Sequence, residues 1–183
     1  MKIKTLFKSA ILISVSTLAV AGETDRIVTE HDVETTQGEW CSAVINISQV
    51  YEDKGHEAAE NLAREVVRDA YAYENGTVLF KPTLTTNPDT FRLTSEGALS
   101  YFVGGNEDFP QDTGFALNNW TQCHVDNAAV VTVGDTAHTM GKVHFTNANG
   151  DVTTVDKTWT FVKGAEDTLR ITVHHSSLEH SAG

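Results

Sequence analysis

The segment RITVHHSSLEH, residues 170–180, places side chains that donate and accept protons where a predicted strand ends. Side chains alternate between the two faces of a strand, so His174 and Ser176 share one face and His175 and Ser177 share the other. His174 and Ser176 could therefore bind one small polar group. Ser176 and His175 cannot form a serine–histidine dyad without a bend. The chain also has no G-x-S-x-G elbow, which makes acyl transfer a poor hypothesis.

Two other segments supply hydroxyl groups where a regular element ends or is interrupted. They are FKPT at 80–83 and GALSYFVGG at 97–105. Hydroxyls and an imidazole can hold and polarise a water molecule. The candidate set for such chemistry is Thr83, Tyr101, His174 and Ser176. For each of these residues alone a structural role is the simpler interpretation, as for a core tyrosine whose hydroxyl is satisfied.

The histidines also raise the alternative of a metal site. His138 and His144 share a strand face, and with His174 they could converge across a sheet. Zinc or manganese needs three or four converging ligands, yet the chain contains no H-x-x-x-H, C-x-x-C or H-E-x-x-H motif. For each histidine alone, a surface or hydrogen-bonded structural role is favoured. The chain also lacks G-x-G-x-x-G and Walker sequences, so no nucleotide cofactor is indicated.

Residues 1–21 have the layout of a secretory signal peptide. Three lysines precede an apolar run over 10–20, and Ala19-Val20-Ala21 is a small-x-small cleavage site. The run is too short for a comfortable membrane span of about 20 residues. We therefore expect a periplasmic or secreted mature chain that does not contact the membrane. In an oxidising compartment Cys41 and Cys123 could form a disulfide, and two buried free thiols are the open alternative.

The charge balance excludes one class of partner. The chain has 13 basic and 25 acidic residues, and removal of the signal peptide takes away three lysines and no acid, which leaves a net charge of −15. Nucleic acids and anionic membrane surfaces need clustered Lys and Arg to displace counterions. We therefore expect neither as a partner.

The remaining chain is expected to form one domain. Residues 22–37 are polar and predict a flexible leader, and 38–183 predict a single globular domain. Apolar residues at helical spacing indicate two amphipathic helices. Their stripes are Trp40, Val44, Ile47 and Tyr51, and then Ala59, Leu62, Val66 and Ala70. A third, short helix is predicted to start at Thr94 or Ser95 and to end at Gly104-Gly105.

Strand patterns dominate the second half of the chain. TVLFKPT reads as a strand, and from Gly114 onward a meander of antiparallel strands is joined by short turns. Helices followed by a strongly curved antiparallel sheet give an α+β fold, with the helices covering one face. A pocket between the concave face and the helices would suit a small ligand.

In their order along the chain, FKPT, EGALSYFVGG and HHSS resemble the iota-class carbonic anhydrases, in particular the branch that works without a metal. The resemblance covers roughly residues 38–181. It implies a cone-shaped fold like nuclear transport factor 2 (the SnoaL-like superfamily), shared with the association domain of a calmodulin-dependent kinase. It also implies that the hydroxyls of Thr83, Tyr101 and Ser176 line the pocket with His174 nearby. Phe80, Phe102, His175 and Ser177 would complete the substrate pocket.

The resemblance leads to a first hypothesis of reversible CO2 hydration to bicarbonate without a metal. Hydroxyls would position the water and the CO2 oxygens, and His174 would accept or relay the proton. One alternative is a non-catalytic module of the same fold that binds a small ligand or mediates assembly. Another is a hydratase or hydrolase assisted by manganese or zinc. A homodimer or higher homo-oligomer is also expected, because Trp159 and Phe161 would lie on an exposed sheet face.

Overall fold

The computed structural model describes residues 27–164 and 167–180, which form three α-helices and a five-stranded sheet. The helices are α1 (Glu30–Lys54), α2 (His56–Ala70) and α3 (Ser95–Val103), and the strands are β1 (Leu79–Lys81), β2 (Trp120–Val133), β3 (Thr136–Asn147), β4 (Val152–Lys163) and β5 (Leu169–Leu178). The predicted signal peptide lies outside the described residues. None of the helices in the described part is both long and apolar enough to cross a bilayer.

Helix α1 begins earlier than the sequence suggested. The Thr29 hydroxyl accepts from the Asp32 amide, and the Asp32 carboxylate accepts from the Thr29 amide, which is a capping box that fixes the helix start. Val33 and Gln37 then continue the buried face of Trp40 toward the N-terminus. The prediction of a flexible leader over 22–37 is therefore wrong for residues 30–37. The sequence does not indicate a helix here because the buried face of this segment consists of Val33 and Gln37, and one apolar and one amide side chain do not form an apolar stripe.

Helices α1 and α2 pack against each other across a tight turn. Gly55 has φ of 81°, and its N–H donates to the Tyr51 carbonyl, a conformation that favours glycine. The deepest positions of α2 are Ala59, Ala63 and Val67. The predicted stripe of Leu62, Val66 and Ala70 is only partly buried, so the true buried face is rotated by about one residue from the predicted one.

The sheet has the order β1-β5-β4-β3-β2. Strands β2 to β5 form the predicted antiparallel meander, but β1 pairs parallel to β5, so the expectation of a wholly antiparallel sheet is wrong at that edge. Strand β2 is one long strand with a register shift between Asn127 and Ala129. Gly141 of β3 lies against it, where an added Cβ would sit 2.2 Å from the Asp126 carbonyl oxygen. Such bulges bend a strand and increase its twist.

The core lies between the inner sheet face, α1 and α3. Trp159 and Phe161 of β4 are only 1% exposed, and the Trp159 ring packs edge-on against Trp40 of α1 at 5.5 Å. They therefore do not form an exposed face, and the argument for a dimer from these two residues is wrong. Polar residues of β4 face outward instead, as Asp156 does.

Cys41 of α1 and Cys123 of β2 form a disulfide with Cα atoms 5.4 Å apart. Of the two alternatives that the sequence left open, a disulfide and two free thiols, the structure has the disulfide. The bridge joins α1 to β2, the edge strand of the sheet farthest from β1. It closes a long loop, so it lowers the conformational entropy of the unfolded chain and thereby stabilises the fold.

Candidate active site

The parallel pairing of β1 with β5 brings two of the predicted hydroxyls together. Phe80 is in register with His174, and Lys81 with His175. Thr83 follows two residues later, and its hydroxyl donates to Ser176 Oγ at 2.6 Å. The Lys81 ammonium donates to the Ser176 carbonyl at 3.0 Å, which ties the end of β1 to the same point of β5.

Helix α3 supplies the third hydroxyl. Thr94 caps its start by accepting from the Gly97 amide, and Gly104 ends it with φ of 67°. An added Cβ at Gly104 would lie 2.9 Å from the Asp112 carbonyl oxygen, so this turn requires glycine. The helix is buried from Gly97 onward, and Tyr101 is 6% exposed.

The Tyr101 hydroxyl is buried and has no hydrogen-bond partner among the described residues. Burial raises the pKa of Tyr101 to about 12, although the nearby Thr83 hydroxyl and the backbone of Thr83 and Leu84 act in the opposite direction. These groups lie close to the phenol without meeting hydrogen-bond geometry. A buried phenol without a partner costs stability unless a bound molecule satisfies it. Tyr101 therefore presents a neutral hydroxyl beside the Thr83–Ser176 pair.

Aromatic rings surround these hydroxyls. The Phe80 ring stacks on His174 at 4.3 Å and meets Tyr101 edge-on at 5.7 Å. Phe102 packs on Phe80, and Phe115 stacks on Tyr101 at 5.6 Å. Phe80 and Phe102 thus form apolar walls beside the hydroxyls, and their role in admitting an apolar substrate stays a prediction.

Both ring nitrogens of His174 are engaged. Nδ1 lies 2.8 Å from the Tyr71 hydroxyl, and Nε2 lies 2.7 Å from Lys157 Nζ. The Tyr71 hydroxyl also accepts from Trp40 Nε1 at 3.0 Å. Burial and the nearby Lys157 hold the pKa of His174 well below its ordinary value. A neutral His174 with two bonded nitrogens suits a relay, and direct acceptance of a proton from water would require one of these contacts to break.

Lys157 is the site residue that sequence reasoning missed. It lies on β4 directly opposite Ser176 and is 5% exposed. Its Nζ atom lies 4.9 Å from the Trp40 ring centroid and 5.3 Å from that of Trp159. Burial lowers the pKa of Lys157 to about 7. The available signal was alternation, because Val155, Trp159 and Phe161 set the inward phase of β4 and Lys157 shares that phase.

The structure does not bring every candidate into the cluster. His175 is exposed and lies with Ser177 on the face opposite His174 and Ser176, so both are wrongly assigned to the buried pocket. The cause is the alternation of β5, which turns one of each adjacent pair outward.

The candidate metal ligands His138 and His144 also face away from His174. Their Nδ1 atoms contact the Thr160 and Thr154 hydroxyls at 3.0 and 2.9 Å. They cannot converge with His174, which projects from the other face of the sheet. Across the described ranges, no group of three His, Cys, Asp or Glu side chains is close enough to hold a metal ion.

A buried ion pair lies between the loop after Thr83 and α3, next to the hydroxyl cluster. Arg92 Nη2 and Asp112 Oδ1 are 2.6 Å apart, with both side chains less than 5% exposed, and the Ser100 hydroxyl donates to Asp112 at 2.7 Å. This network joins the loop that follows Thr83 to the helix that carries Tyr101. No local sequence pattern indicates this ion pair, because Arg92 and Asp112 lie in two separate loops.

A groove of about 900 Å³ lies elsewhere, between α1, α2 and the start of β5. Its walls include Asp32, Glu39, Glu65 and Asp69, and the hydroxyl cluster is not part of it. A wide acidic groove disfavours an anionic product such as bicarbonate, whereas the enclosed cluster combines donors with apolar walls. The cluster is therefore the better candidate for chemistry on a small molecule.

Comparisons with known proteins agree on one family. A family model described as metal-independent carbonic anhydrase matches residues 31–178. A metal-independent carbonic anhydrase from Nostoc sp. (strain PCC 7120 / SAG 25.82 / UTEX 2576) is 49% identical over 156 residues, which cover 85% of this chain and 76% of the relative.

Solved structures support the same fold. The crystal structure of an iota-carbonic anhydrase from a cyanobacterium, complexed with bicarbonate, is 45% identical, with a TM-score of 0.85 over 96% of this chain and 100% of that chain. A calcium/calmodulin-dependent protein kinase II association domain from Xanthomonas campestris is 19% identical, with a TM-score of 0.56 over 89% of this chain and 100% of that one. The second similarity concerns the fold alone. The prediction of a fold like nuclear transport factor 2 is confirmed.

Proposed function

The chain belongs to the metal-independent carbonic anhydrase family, and from this premise we propose that it hydrates CO2 reversibly at the cluster of Thr83, Tyr101 and Ser176. The observation that carries the assignment of the site is the buried Tyr101 hydroxyl, which lacks a partner beside the Thr83–Ser176 hydrogen bond. Bicarbonate, present in the complex of the similar cyanobacterial structure, would be the product.

The hydroxyls would stabilise the negative charge that develops on the CO2 oxygens during the reaction. The water oxygen attacks the CO2 carbon, one C–O π bond breaks, and negative charge develops on the CO2 oxygens. Tyr101 is a neutral phenol at physiological pH, so it can donate to such an oxygen. Donors fixed in a water-poor site stabilise this charge more than solvent does, because they need no reorganisation. Ser176 accepts from Thr83, which leaves the Ser176 proton free to orient the water or an oxygen of CO2.

The walls would select the substrate. CO2 is small and apolar, and the rings of Phe80, Phe102 and Phe115 surround the hydroxyls. Such walls favour entry of an apolar gas and exclude bulk water, which strengthens every polar contact inside. His174 would relay the proton released from water, since its two nitrogens already connect Tyr71 and Lys157.

The test is stopped-flow CO2 hydration on chelator-treated protein, with metal content measured on the same sample. Tyr101→Phe and Ser176→Ala should each lose about 100-fold or more in kcat, the usual effect of removing one oxyanion donor. Ser177→Ala, on the opposite sheet face, is the matched control and should retain activity. Wild-type protein that matches the buffer blank would refute the proposal.

We also propose that the mature chain is exported and self-associates. The disulfide between Cys41 and Cys123 supports an oxidising compartment. Trp159 and Phe161 are buried in the core and cannot form a dimer interface. The exposed apolar residues Val131, Val133 and Met140, on neighbouring strands β2 and β3, support a homodimer instead. Fractionation of the native cells and light scattering on the purified chain test the two proposals. A cytoplasmic full-length chain or a monomer would contradict them.

A further inference from the structure

Lys157 is a buried amine that the hydroxyl chemistry leaves unused. We propose that Lys157 is the base that takes the proton of the reacting water and then, as an ammonium, the counter-charge of bicarbonate. The inference rests on the proposed function and assigns the proton acceptor for it. The step balances as CO2 plus water plus a neutral amine giving bicarbonate plus an ammonium, and no oxidant, reductant or further reactant is needed.

The position of Lys157 in the sheet places it beside the reacting groups. Lys157 and Ser176 are directly opposite each other on β4 and β5, and the Cβ atoms of such a pair lie roughly 5 Å apart. Both side chains are buried on the inner face. A four-carbon stem gives the amine enough reach to contact a small molecule held on the Ser176 hydroxyl.

The hydrogen bonds around Lys157 favour an uncharged resting state. If the amine is neutral, it accepts from His174 Nε2–H, His174 Nδ1 accepts from Tyr71, and Tyr71 accepts from Trp40, which satisfies each polar atom of the chain. If Lys157 is charged, it donates to Nε2 and Nδ1–H donates to Tyr71. The Tyr71 proton then has no acceptor among the described residues, so protonation of Lys157 requires a tautomer change in His174.

The charges that face Lys157 agree with this assignment. Its Nζ is contacted by Trp40 from α1, Trp159 from its own strand and His174 from β5. Tyr71, at the end of α2, lies on the far side of His174, at Nδ1. None of the described carboxylates contributes to its pKa, and burial alone lowers that pKa to about 7. Lys157 in turn acts on His175, whose pKa is lowered by burial and by the charges of Lys81 and Lys157.

An ammonium without a carboxylate partner therefore gains its counter-charge only when bicarbonate forms beside it. The two tryptophan faces give it partial support through cation–π contact. A base whose pKa lies near the working pH is the most effective proton acceptor, and the low pKa of Lys157 satisfies that requirement.

The experiment compares Lys157→Met with Lys142→Met, a control on the outer face where Lys142 pairs with Asp156. The readouts are CO2 hydration from pH 6 to 9 and the titration of 15N-labelled lysine side-chain amines by NMR. In wild type we expect kcat/KM to rise with pH through an inflection near 7. Lys157→Met should lose at least about 100-fold together with that inflection, and the control should keep both.

The signal of Lys157 is assigned as the one that is missing from the spectrum of Lys157→Met. If that variant is impaired in folding, Lys157→Gln serves for the same assignment. The Lys157 signal should titrate near neutral pH, and saturating bicarbonate should raise its pKa. An active wild type with unchanged rate and pH profile in Lys157→Met overturns the inference alone. A Lys157 pKa above 9 also overturns it. Wild-type protein without hydration activity overturns the proposed function instead.

Discussion

Replacing Lys157 by Met should change how the stability of the fold depends on pH. A lysine in the unfolded chain has a pKa of 10.5, and burial in the folded chain lowers it to about 7. Between these values the unfolded state binds one more proton than the folded state. Stability therefore rises with pH across the window from 7 to 10.5, and falls as the pH is lowered through it.

The magnitude follows from the width of the window. One pKa unit corresponds to about 1.4 kcal/mol, so wild type should gain roughly 3 kcal/mol of unfolding free energy between pH 7 and pH 9.5 from Lys157 alone. Methionine has a similar length and no charge, and it packs well against aromatic rings. Lys157→Met should therefore lack this gain. The unfolding free energy of the variant minus that of wild type should be roughly 3 kcal/mol larger at pH 7 than at pH 9.5.

Urea unfolding at the two pH values, followed by tryptophan fluorescence, measures the difference between the variants. Taking that difference cancels all other groups that titrate equally in both, including Tyr71, Tyr73 and Tyr101, whose pKa values burial raises. An equal pH dependence of wild type and Lys157→Met would show that Lys157 is charged in the folded state and would refute the reasoning.

Three other predictions concern the same fold. Tyr101→Phe should lose CO2 hydration with little loss of melting temperature, because its hydroxyl makes no hydrogen bond to the described chain; a large drop in melting temperature would contradict the assignment. His174 has a folded-state pKa well below 6.5, so wild type should lose stability as the pH falls below 6.5, and His174→Gln should lose less over the same range in urea titrations at pH 6.5 and pH 5. Reduction of the Cys41–Cys123 disulfide, whose partners are 82 residues apart, should cost roughly 4 kcal/mol in the chain-entropy description, and an unchanged urea midpoint with and without reductant would contradict it.

The sequence predicted those parts of the fold that depend on local patterns. Alternation and turn residues indicated the meander of β2 to β5, and glycine after an apolar stripe indicated the ends of α1 and α3. The parallel pairing of β1 was not predictable in this way, because a strand of three residues carries little pattern and its partner lies about 90 residues away. The start of α1 was missed because Val33 and Gln37 replace an apolar stripe there.

The candidate site was predicted as a set of residues but not as a geometry. Thr83, Tyr101 and Ser176 stand out because each is a hydroxyl residue within two positions of the end of a regular element. Lys157 does not stand out, since a lysine is expected at the surface unless the phase of its strand is followed strictly. Its role depends on what it faces, and His174 is a partner 17 residues away whose inward position the chain order alone does not establish.

The inward position of His174 depends on one extra residue in β5. Phe161 is in register with Ile171, and Thr160 with Val173, so Thr172 has no opposite residue on β4 and its hydroxyl donates to the Thr160 carbonyl at 3.2 Å. Before this bulge the buried residues of β5 have odd numbers, and after it they are His174 and Ser176. If Thr172 were instead paired regularly in the ladder, the alternation would continue from Ile171 and turn His175 and Ser177 inward. Since HHSS contains two adjacent residues of each kind, the motif fits either phase, and the bulge is the feature that selects which histidine meets Lys157 and which serine meets Thr83.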